Sequence, residues 1–360
     1  MALSPQSSIL KVTVLSPSAY IIIHMKKRKG LDFLINLLNV SIIRGKLRPK
    51  KNLFMTTSVV ILSALFLASC GGASVALPDP DIKIYLLDLS GSGDVSNQFR
   101  LIKEDLVKDM TSESLGSPYD MRGPSLTKFY FVGTNSRALR EFTLQDQQVA
   151  YELFQYIADE NNNTRTEKFW RLLSEKYQNY MIQKLDNSQT VTKEQCMSEF
   201  NEIFLPTWSS DRVREVHSSF MCRMAVYSLS NFDELNQYID SESQPNVQKA
   251  SDVFGALSKI GSQVEKFQEQ YIGSKIKVTL ATDGDHNLGA NSPSNLRTRI
   301  QSAPDICALA EEYRKEFELS SLKESKKLEI DPRGISALTN GTGEYPRQLE
   351  TFWNCFFPNK

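Results

Sequence analysis

Residues 81–94 read DIKIYLLDLSGSGD, and this stretch decides the fold that the sequence predicts. Residues 81–88 run through isoleucine, tyrosine and leucine almost without a break, which is typical of a parallel strand that is buried on both faces. A turn of small polar residues follows, and then apolar residues recur at helical spacing over about 95–111. The stretch therefore predicts a strand, a turn and a helix, which is how an α/β fold begins.

Other parts of the chain repeat this alternation. KFYFVGT (128–134) and KIKVTLATD (275–283) are two further candidate strands, and residues 250–271 have helical periodicity. Between about 141 and 240 the periodicity is helical and strand signals are few, which indicates a helical insertion. We therefore predict a doubly wound, mostly parallel sheet flanked by helices, with EFELSSL (316–322) as a weak candidate for its last strand.

Polar side chains follow two of the predicted strands. Asp88, Ser90 and Ser92 alternate along the turn after the first strand, so one carboxylate and two hydroxyls can converge on one point. Asp283 stands in the turn Thr282-Asp283-Gly284, at the end of a later strand. Oxygen ligands of this kind suit a hard cation, Mg²⁺ before Ca²⁺, that keeps some of its water.

The three motifs together resemble a von Willebrand factor type A domain. Members of this family carry DxSxS after the first strand and a TDG-like turn after the central strand. Between these motifs they have a threonine ahead of a helix, and this chain has SDVFGAL (251–257) there, with Ser251 in the threonine position. The resemblance covers about residues 80–135 and 245–345, including GISALTNGTGEY (334–345) near its end.

The resemblance implies a metal-ion-dependent adhesion site for Mg²⁺, with Mn²⁺ or Ca²⁺ as substitutes. Ser90 and Ser92 would contact the metal through their hydroxyls, while Asp88 and Asp283 would hold metal-bound waters. Ser251 would contact the metal directly or through water. The implied function is a non-enzymatic binding module, whose metal takes an acidic residue of a protein partner into an open coordination position.

Two other functions stay open at this point. Because Ser251 replaces a threonine, the chain could be a structural envelope lipoprotein with a degenerate metal site. DGDHN (283–287) superficially resembles the clusters of a metal-dependent phosphoesterase, although His217 and His286 are the only histidines after residue 70. We expect Asp285 to cap the following loop and His286 to be a solvated surface residue.

The segment before residue 71 predicts export and a lipid anchor. Residues 44–51 are rich in arginine and lysine, and residues 52–68 are uncharged and mostly apolar, as in a secretory signal. Leu67-Ala68-Ser69-Cys70 resembles the lipobox of bacterial lipoproteins, which implies that Cys70 is lipidated after cleavage before it. The predicted organisation is a leader over 1–69, a linker over 70–80 and the domain over 81–360.

This prediction places the protein on the bacterial cell envelope, held on a membrane by its lipid. Residue 71 is glycine rather than aspartate, which by resemblance to Gram-negative lipoproteins favours the outer membrane. The signal lies unusually far inside the chain, so we expect translation to begin nearer Leu47, Leu53 or Met55. A long basic segment or a membrane-spanning hairpin is the alternative to a later start, and a buried hydrophobic helix that ends in Cys70 is the alternative to the lipid anchor.

Charge and cysteine content agree with an exported binding protein. Lysine plus arginine and aspartate plus glutamate both number 42, so bulk charge gives no case for nucleic-acid binding. Four cysteines follow Cys70, and an even number in an exported domain permits two disulfides in three possible pairings. Proximity in the chain favours Cys196–Cys222 and Cys307–Cys355.

Overall fold

The computed structural model describes thirteen stretches of the chain, in two compact units, Met1–Ser74 and Val75–Lys360. The described residues are 11–15, 20–24, 78–90, 95–111, 115–117, 123–159, 164–203, 211–244, 247–288, 292, 295–322, 327–334 and 343–358. Cys70, the apolar stretch before it, Ser92 and most of 334–345 lie outside them. None of the helices in these stretches is long and apolar enough to cross a membrane.

In the first unit, strands β1 (Lys11–Leu15) and β2 (Tyr20–His24) pair antiparallel. The second unit contains a five-stranded sheet in the order β5-β4-β3-β6-β7. Its strands are β3 (Ile82–Asp88), β4 (Leu126–Val132), β5 (Phe142–Thr143), β6 (Ile276–Ala281) and β7 (Leu328–Asp331). The pairs β3–β4, β3–β6 and β6–β7 are parallel, and only the short edge strand β5 runs antiparallel to its neighbour.

Helices cover both faces of this sheet, so its central strand is buried on both sides. Alternate residues of β3 enter different cores: Ile84 and Leu86 pack on one face, Tyr85 and Leu87 on the other. The helices in the described residues are α1 (Val95–Thr111), α2 (Gln147–Asp159), α3 (Thr164–Asp186), α4 (Lys193–Ile203), α5 (Asp211–Glu242), α6 (Val253–Gln270), α7 (Leu296–Ser302), α8 (Ile306–Glu316) and α9 (Glu344–Phe356).

Helices α1 to α5 pack with Tyr85 and Leu87, and α6 to α9 pack with Ile84 and Leu86. The predicted fold class is therefore confirmed: the chain has a mixed α/β fold with a mostly parallel sheet between two helical layers. This architecture is consistent with a Rossmann-like or von Willebrand type A-like fold.

Two sequence-based element predictions need correction. The segment predicted as helical from residue 141 opens with β5, because Phe142 extends the sheet edge and packs on Phe131 at 6.0 Å between ring centroids. The last strand is β7 and not 316–322, where α8 ends and a 3-10 turn (Leu319–Leu322) follows. With only four residues and one buried face, β7 carries a weak sequence signal.

Both disulfides favoured from the sequence are present in the structure, Cys196–Cys222 and Cys307–Cys355. The first joins α4 to α5 and lies fully buried among the apolar residues of that helical layer. The second joins α8 to α9 on the other face of the sheet. Each bond therefore fixes a helix pair within one layer.

We predict that Cys196→Ala/Cys222→Ala lowers the free energy of unfolding by about 3 kcal/mol. The bond closes a loop of 26 residues, which restricts the unfolded chain. Urea denaturation of the oxidised variant and of oxidised wild type measures the change, because a reductant would also open Cys307–Cys355. An unchanged denaturation midpoint in the variant would contradict the prediction.

Candidate metal and partner site at the carboxyl edge of the sheet

The strand order places the predicted site residues at one edge of the sheet. The chain leaves β3 for β4 on one side and later returns to β6 on the other side of β3. In open α/β sheets, ligands bind where the strand order reverses in this way, beyond the carboxyl ends of the strands. Asp88 ends β3 and Thr282 follows β6 directly, so both stand at that reversal.

Asp88 is fully buried and is the centre of a hydrogen-bond cluster. Its Oδ2 accepts from the Thr282 hydroxyl at 2.7 Å and from the Ser251 hydroxyl at 3.2 Å. Its Oδ1 accepts from the backbone N–H of Ser90 at 2.8 Å, and the Ser90 side chain is a further hydrogen-bond partner. Residues separated by up to 194 positions in sequence therefore meet on one carboxylate.

Burial is the largest influence on the pKa of Asp88. Removal from water raises the pKa of its carboxyl above the ordinary value of 3.8, although bonds from Ser90, Thr282 and Ser251 lower it. Within the described residues, no lysine, arginine or histidine forms an ion pair with Asp88. A buried carboxylate without a cation is costly, and a metal ion would supply the missing positive charge.

Ser251 is held in position by its own backbone. Its N–H donates to the carbonyl of Asn287 at 2.7 Å, and the Asn287 N–H donates back at 2.9 Å. The next residue, Asp252, caps α6 by accepting from the Gly255 N–H at 2.9 Å. A Cβ at Gly255 would lie 2.0 Å from this carboxylate, so the cap requires glycine there.

The turn after β6 supplies a partner of Asp88 that its sequence motif does not predict. Thr282 belongs to the Thr-Asp-Gly turn, and its hydroxyl donates to Asp88. The same hydroxyl accepts from the Gly284 N–H at 3.0 Å, and Gly284 takes a left-handed φ of 70°. The predicted ligand Asp283 is 9% exposed, and its carboxylate accepts from the Asp285 N–H at 2.9 Å.

Helix α9 holds this turn from outside. The Trp353 indole N–H donates to the Gly284 carbonyl at 3.2 Å, and the Tyr345 hydroxyl donates to Asp285 at 2.6 Å. Arg297 also reaches Asp285, at 3.4 Å. Asp285 was expected to cap the loop that follows it, but its side chain instead joins the turn to α7 and α9.

His286 is a further correction, because it is fully buried rather than solvated. Its ring packs on Phe254 at 4.9 Å and on Phe317 at 6.0 Å between centroids. Neither ring nitrogen has a hydrogen-bond partner, and the nearest carboxylate oxygen, of Asp252, is 4.0 Å from Nδ1. Burial lowers the pKa of His286 from 6.5 to about 4, so the ring is neutral at physiological pH.

We predict that His286→Leu makes the protein less sensitive to acid. The depressed pKa means that the contribution of His286 to stability is complete above pH 6.5 and falls as pH drops towards 4. The loss reaches about 3 kcal/mol, at 1.36 kcal/mol for each pKa unit. Free energies of unfolding across this range, with and without the substitution, measure the effect. A histidine proton resonance of His286 that titrates near 6.5 would contradict it.

The described residues contain no group of three or more histidine, cysteine, aspartate or glutamate side chains that could hold the predicted metal. The predicted ligand set differs from such groups, since it combines two carboxylates with serine hydroxyls. Asp88, Ser90 and Ser251 lie together at this edge, and a cation would suit the buried carboxyl of Asp88, which has no ion-pair partner among the described residues.

A groove at the opposite, amino edge of the sheet has different chemistry. Four lysines line it, at positions 83, 275, 277 and 327, together with Asp81 and Glu329. Lys83 pairs with Asp109 at 3.0 Å, and Lys277 pairs with Glu329 at 3.3 Å. Salt bridges within the chain thus engage part of its charge, and none of the predicted metal ligands lines it.

Comparison with known proteins does not show a family for this chain. No family model and no curated protein matches the chain. Among solved structures, the human COPII-coat protein Sec24c matches at 10% identity with a TM-score of 0.26. The match covers 77% of this chain and 32% of that protein, so the chain spans about a third of its length. A similarity of this size carries no argument about function.

Proposed function

We propose that this chain is a lipid-anchored, non-enzymatic binding module of the von Willebrand factor type A kind, which uses Mg²⁺ to capture a protein partner at the bacterial cell envelope. The observation that carries the proposal is Asp88, a fully buried carboxylate surrounded by hydroxyl groups at the strand reversal. Ser90 and Ser251 would offer hydroxyl oxygens to the metal, and Ser92 would join them. Asp88 and Asp283 would hold the waters on it.

The donor set decides what the site can do. Hydroxyl groups carry no charge, so a cation that they hold keeps most of its positive character and attracts a further anion. A glutamate or aspartate of a partner protein would complete its coordination. Thr282 orients Asp88, and α9 orients the turn that carries Asp283.

Burial of His286 argues against a phosphoesterase. A histidine that binds metal or substrate in such an enzyme needs a ring nitrogen in the site, but both nitrogens of His286 are buried without a hydrogen-bond partner, in a ring that packs on Phe254 and Phe317. A structural lipoprotein with a degenerate site remains the second candidate. Its supporting observation is that the Ser251 hydroxyl is turned onto Asp88 at 3.2 Å.

Calorimetric titration of Mg²⁺ and Mn²⁺ into residues 71–360 tests the proposal, since Val75–Lys360 form one compact unit. We expect saturable binding that Asp88→Ala/Asp283→Ala abolishes while the far-UV circular dichroism spectrum is retained. Absence of binding to the wild-type chain would favour the structural lipoprotein. Turnover of a generic phosphoester would favour the enzyme.

A further inference from the structure

The amino edge of the sheet carries the most exposed large hydrophobic side chain of the described residues. Ile272 is 75% exposed, in the loop between α6 and β6. The Lys327 ammonium donates to the Ile272 carbonyl oxygen, and the side chains of Lys275 and Lys327 are exposed. Both lysines line the groove at this edge together with Lys83 and Lys277. We call Ile272, Lys275 and Lys327 the amino-edge patch.

The chain itself engages only part of the positive charge at this edge. Lys83 and Lys277 form salt bridges with carboxylates, but Lys275 forms none with the described residues. Asp81 and Glu329 also line the groove, so lysines outnumber acids there by four to two. An exposed isoleucine beside exposed lysines suits a membrane interface, where lysine stems lie along apolar surface while the ammonium groups reach phosphates.

The chain that leads from Cys70 joins the described part of the domain beside this patch. The Asp79 carboxylate accepts from the N–H of Gly273, the residue after Ile272, at 2.6 Å. Asp79 is nine residues after Cys70, so even a fully extended chain spans only about 32 Å between them. A lipid on Cys70 would therefore hold the patch close to the membrane that the lipid enters.

We propose that the amino-edge patch rests on the anionic membrane surface into which the Cys70 lipid inserts. Ile272 enters the boundary between headgroups and acyl chains, and Lys275 and Lys327 contact lipid phosphates. The inference rests on the lipid anchor of the proposed function. Strand β3 runs from this edge to Asp88, a distance of about 20 Å for seven residues. Contact at the patch therefore turns the candidate metal site away from the membrane, towards a partner.

Acetylation of single lysines in residues 70–360 tests this contact. Cys70 is the one cysteine outside the two disulfides, so a maleimide couples it to a lipid in vesicles of phosphatidylethanolamine and phosphatidylglycerol. The same protein capped with N-ethylmaleimide stays in solution, and mass spectrometry compares the acetylation rates. We expect tethering to slow the acetylation of Lys275 about fivefold. Lys249, exposed two residues before Ser251 at the carboxyl edge, should react at an unchanged rate.

Ile272→Ser should restore most of the acetylation rate of Lys275 on the vesicles. Val247→Ser is the matched control, since Val247 is 47% exposed but lies at the carboxyl edge, and it should restore nothing. Protection of Lys275 that survives Ile272→Ser, or equal protection of Lys275 and Lys249, would overturn the inference and leave the proposed function standing. Metabolic labelling of the full chain with an alkyne fatty acid, against Cys70→Ser, tests the anchor separately. A full chain without label would defeat the lipid-anchored part of the proposed function together with the inference.

Discussion

Asp88→Asn is expected to raise the melting temperature of the metal-free protein at neutral pH and to abolish saturable Mg²⁺ binding. Burial raises the pKa of Asp88, so its ionisation costs more free energy in the folded chain than in the unfolded chain. The contribution of this carboxyl to stability is complete below pH 3.8 and is lost as pH rises through the folded pKa. Asparagine has the same shape without the charge, so the variant escapes this loss. Its amide oxygen keeps the bond from the Ser90 N–H, and its NH₂ group, which cannot accept, donates to the Thr282 and Ser251 hydroxyls once these rotate.

Mg²⁺ should reverse the order of the two melting temperatures, so that wild type melts above the Asp88→Asn variant. At a free concentration of about 100 times its Kd, a ligand of the folded state alone adds about 2.7 kcal/mol of stability. Wild type should gain this stabilisation, and the Asp88→Asn variant should gain none. Differential scanning calorimetry in chelator and in Mg²⁺, repeated from about pH 4 to pH 8, measures both effects.

Asp109→Asn is the matched control for a buried aspartate. Asp109 is 2% exposed and accepts from the Lys83 ammonium at 3.0 Å and from the Tyr85 hydroxyl at 2.5 Å. The substitution leaves Lys83 without its ion-pair partner, so it should lower the free energy of unfolding by up to about 3 kcal/mol. Mg²⁺ binding should be unchanged. A lower melting temperature of the Asp88→Asn variant in chelator would contradict the prediction, because it would mean that the buried carboxyl of Asp88 stabilises the metal-free fold.

The sequence predicts the central part of this fold well because local signals and tertiary packing agree there. In β3 the apolar run is continuous since both faces are buried, and in α1 the apolar spacing of Ile102, Leu106 and Met110 matches the helix period. The edge strands β5 and β7 are short and make fewer contacts with the core, so their sequences carry little periodicity. They are the strands that the sequence analysis missed or misplaced.

The residues of the candidate site also fall into those that the sequence could predict and those that it could not. Asp88 and Ser90 could be predicted to meet because they share one turn at a strand end, and the resemblance to von Willebrand factor type A domains adds Ser251 to them. The bond from Thr282 to Asp88 depends on the side-by-side pairing of β3 and β6, which no local pattern contains. Burial of His286 depends on Phe254 and Phe317 from two distant helix ends, so a polar residue in a polar motif was wrongly expected to be solvated.

Trp353→Ala is expected to lower the free energy of unfolding by about 4 kcal/mol, the usual cost of truncating a fully buried tryptophan. The indole ring packs on Phe254 at 5.6 Å, on Phe352 at 5.3 Å and on Phe356 at 5.1 Å between centroids. Its N–H also donates to the Gly284 carbonyl in the turn that carries Asp283. We therefore expect weaker Mg²⁺ binding as well, measured by calorimetry below the melting temperature.

Two variants separate these effects of Trp353. Trp170 is also buried, 4% exposed, but it packs in the helical layer on the other face of the sheet. Trp170→Ala should therefore reduce stability to a similar degree and leave Mg²⁺ affinity unchanged. Trp353→Phe keeps most of the ring volume and removes the indole donor, so it should recover much of the stability but not the affinity. If Trp353→Phe binds Mg²⁺ as tightly as wild type, the bond to Gly284 does not position the site, and α9 serves the core alone.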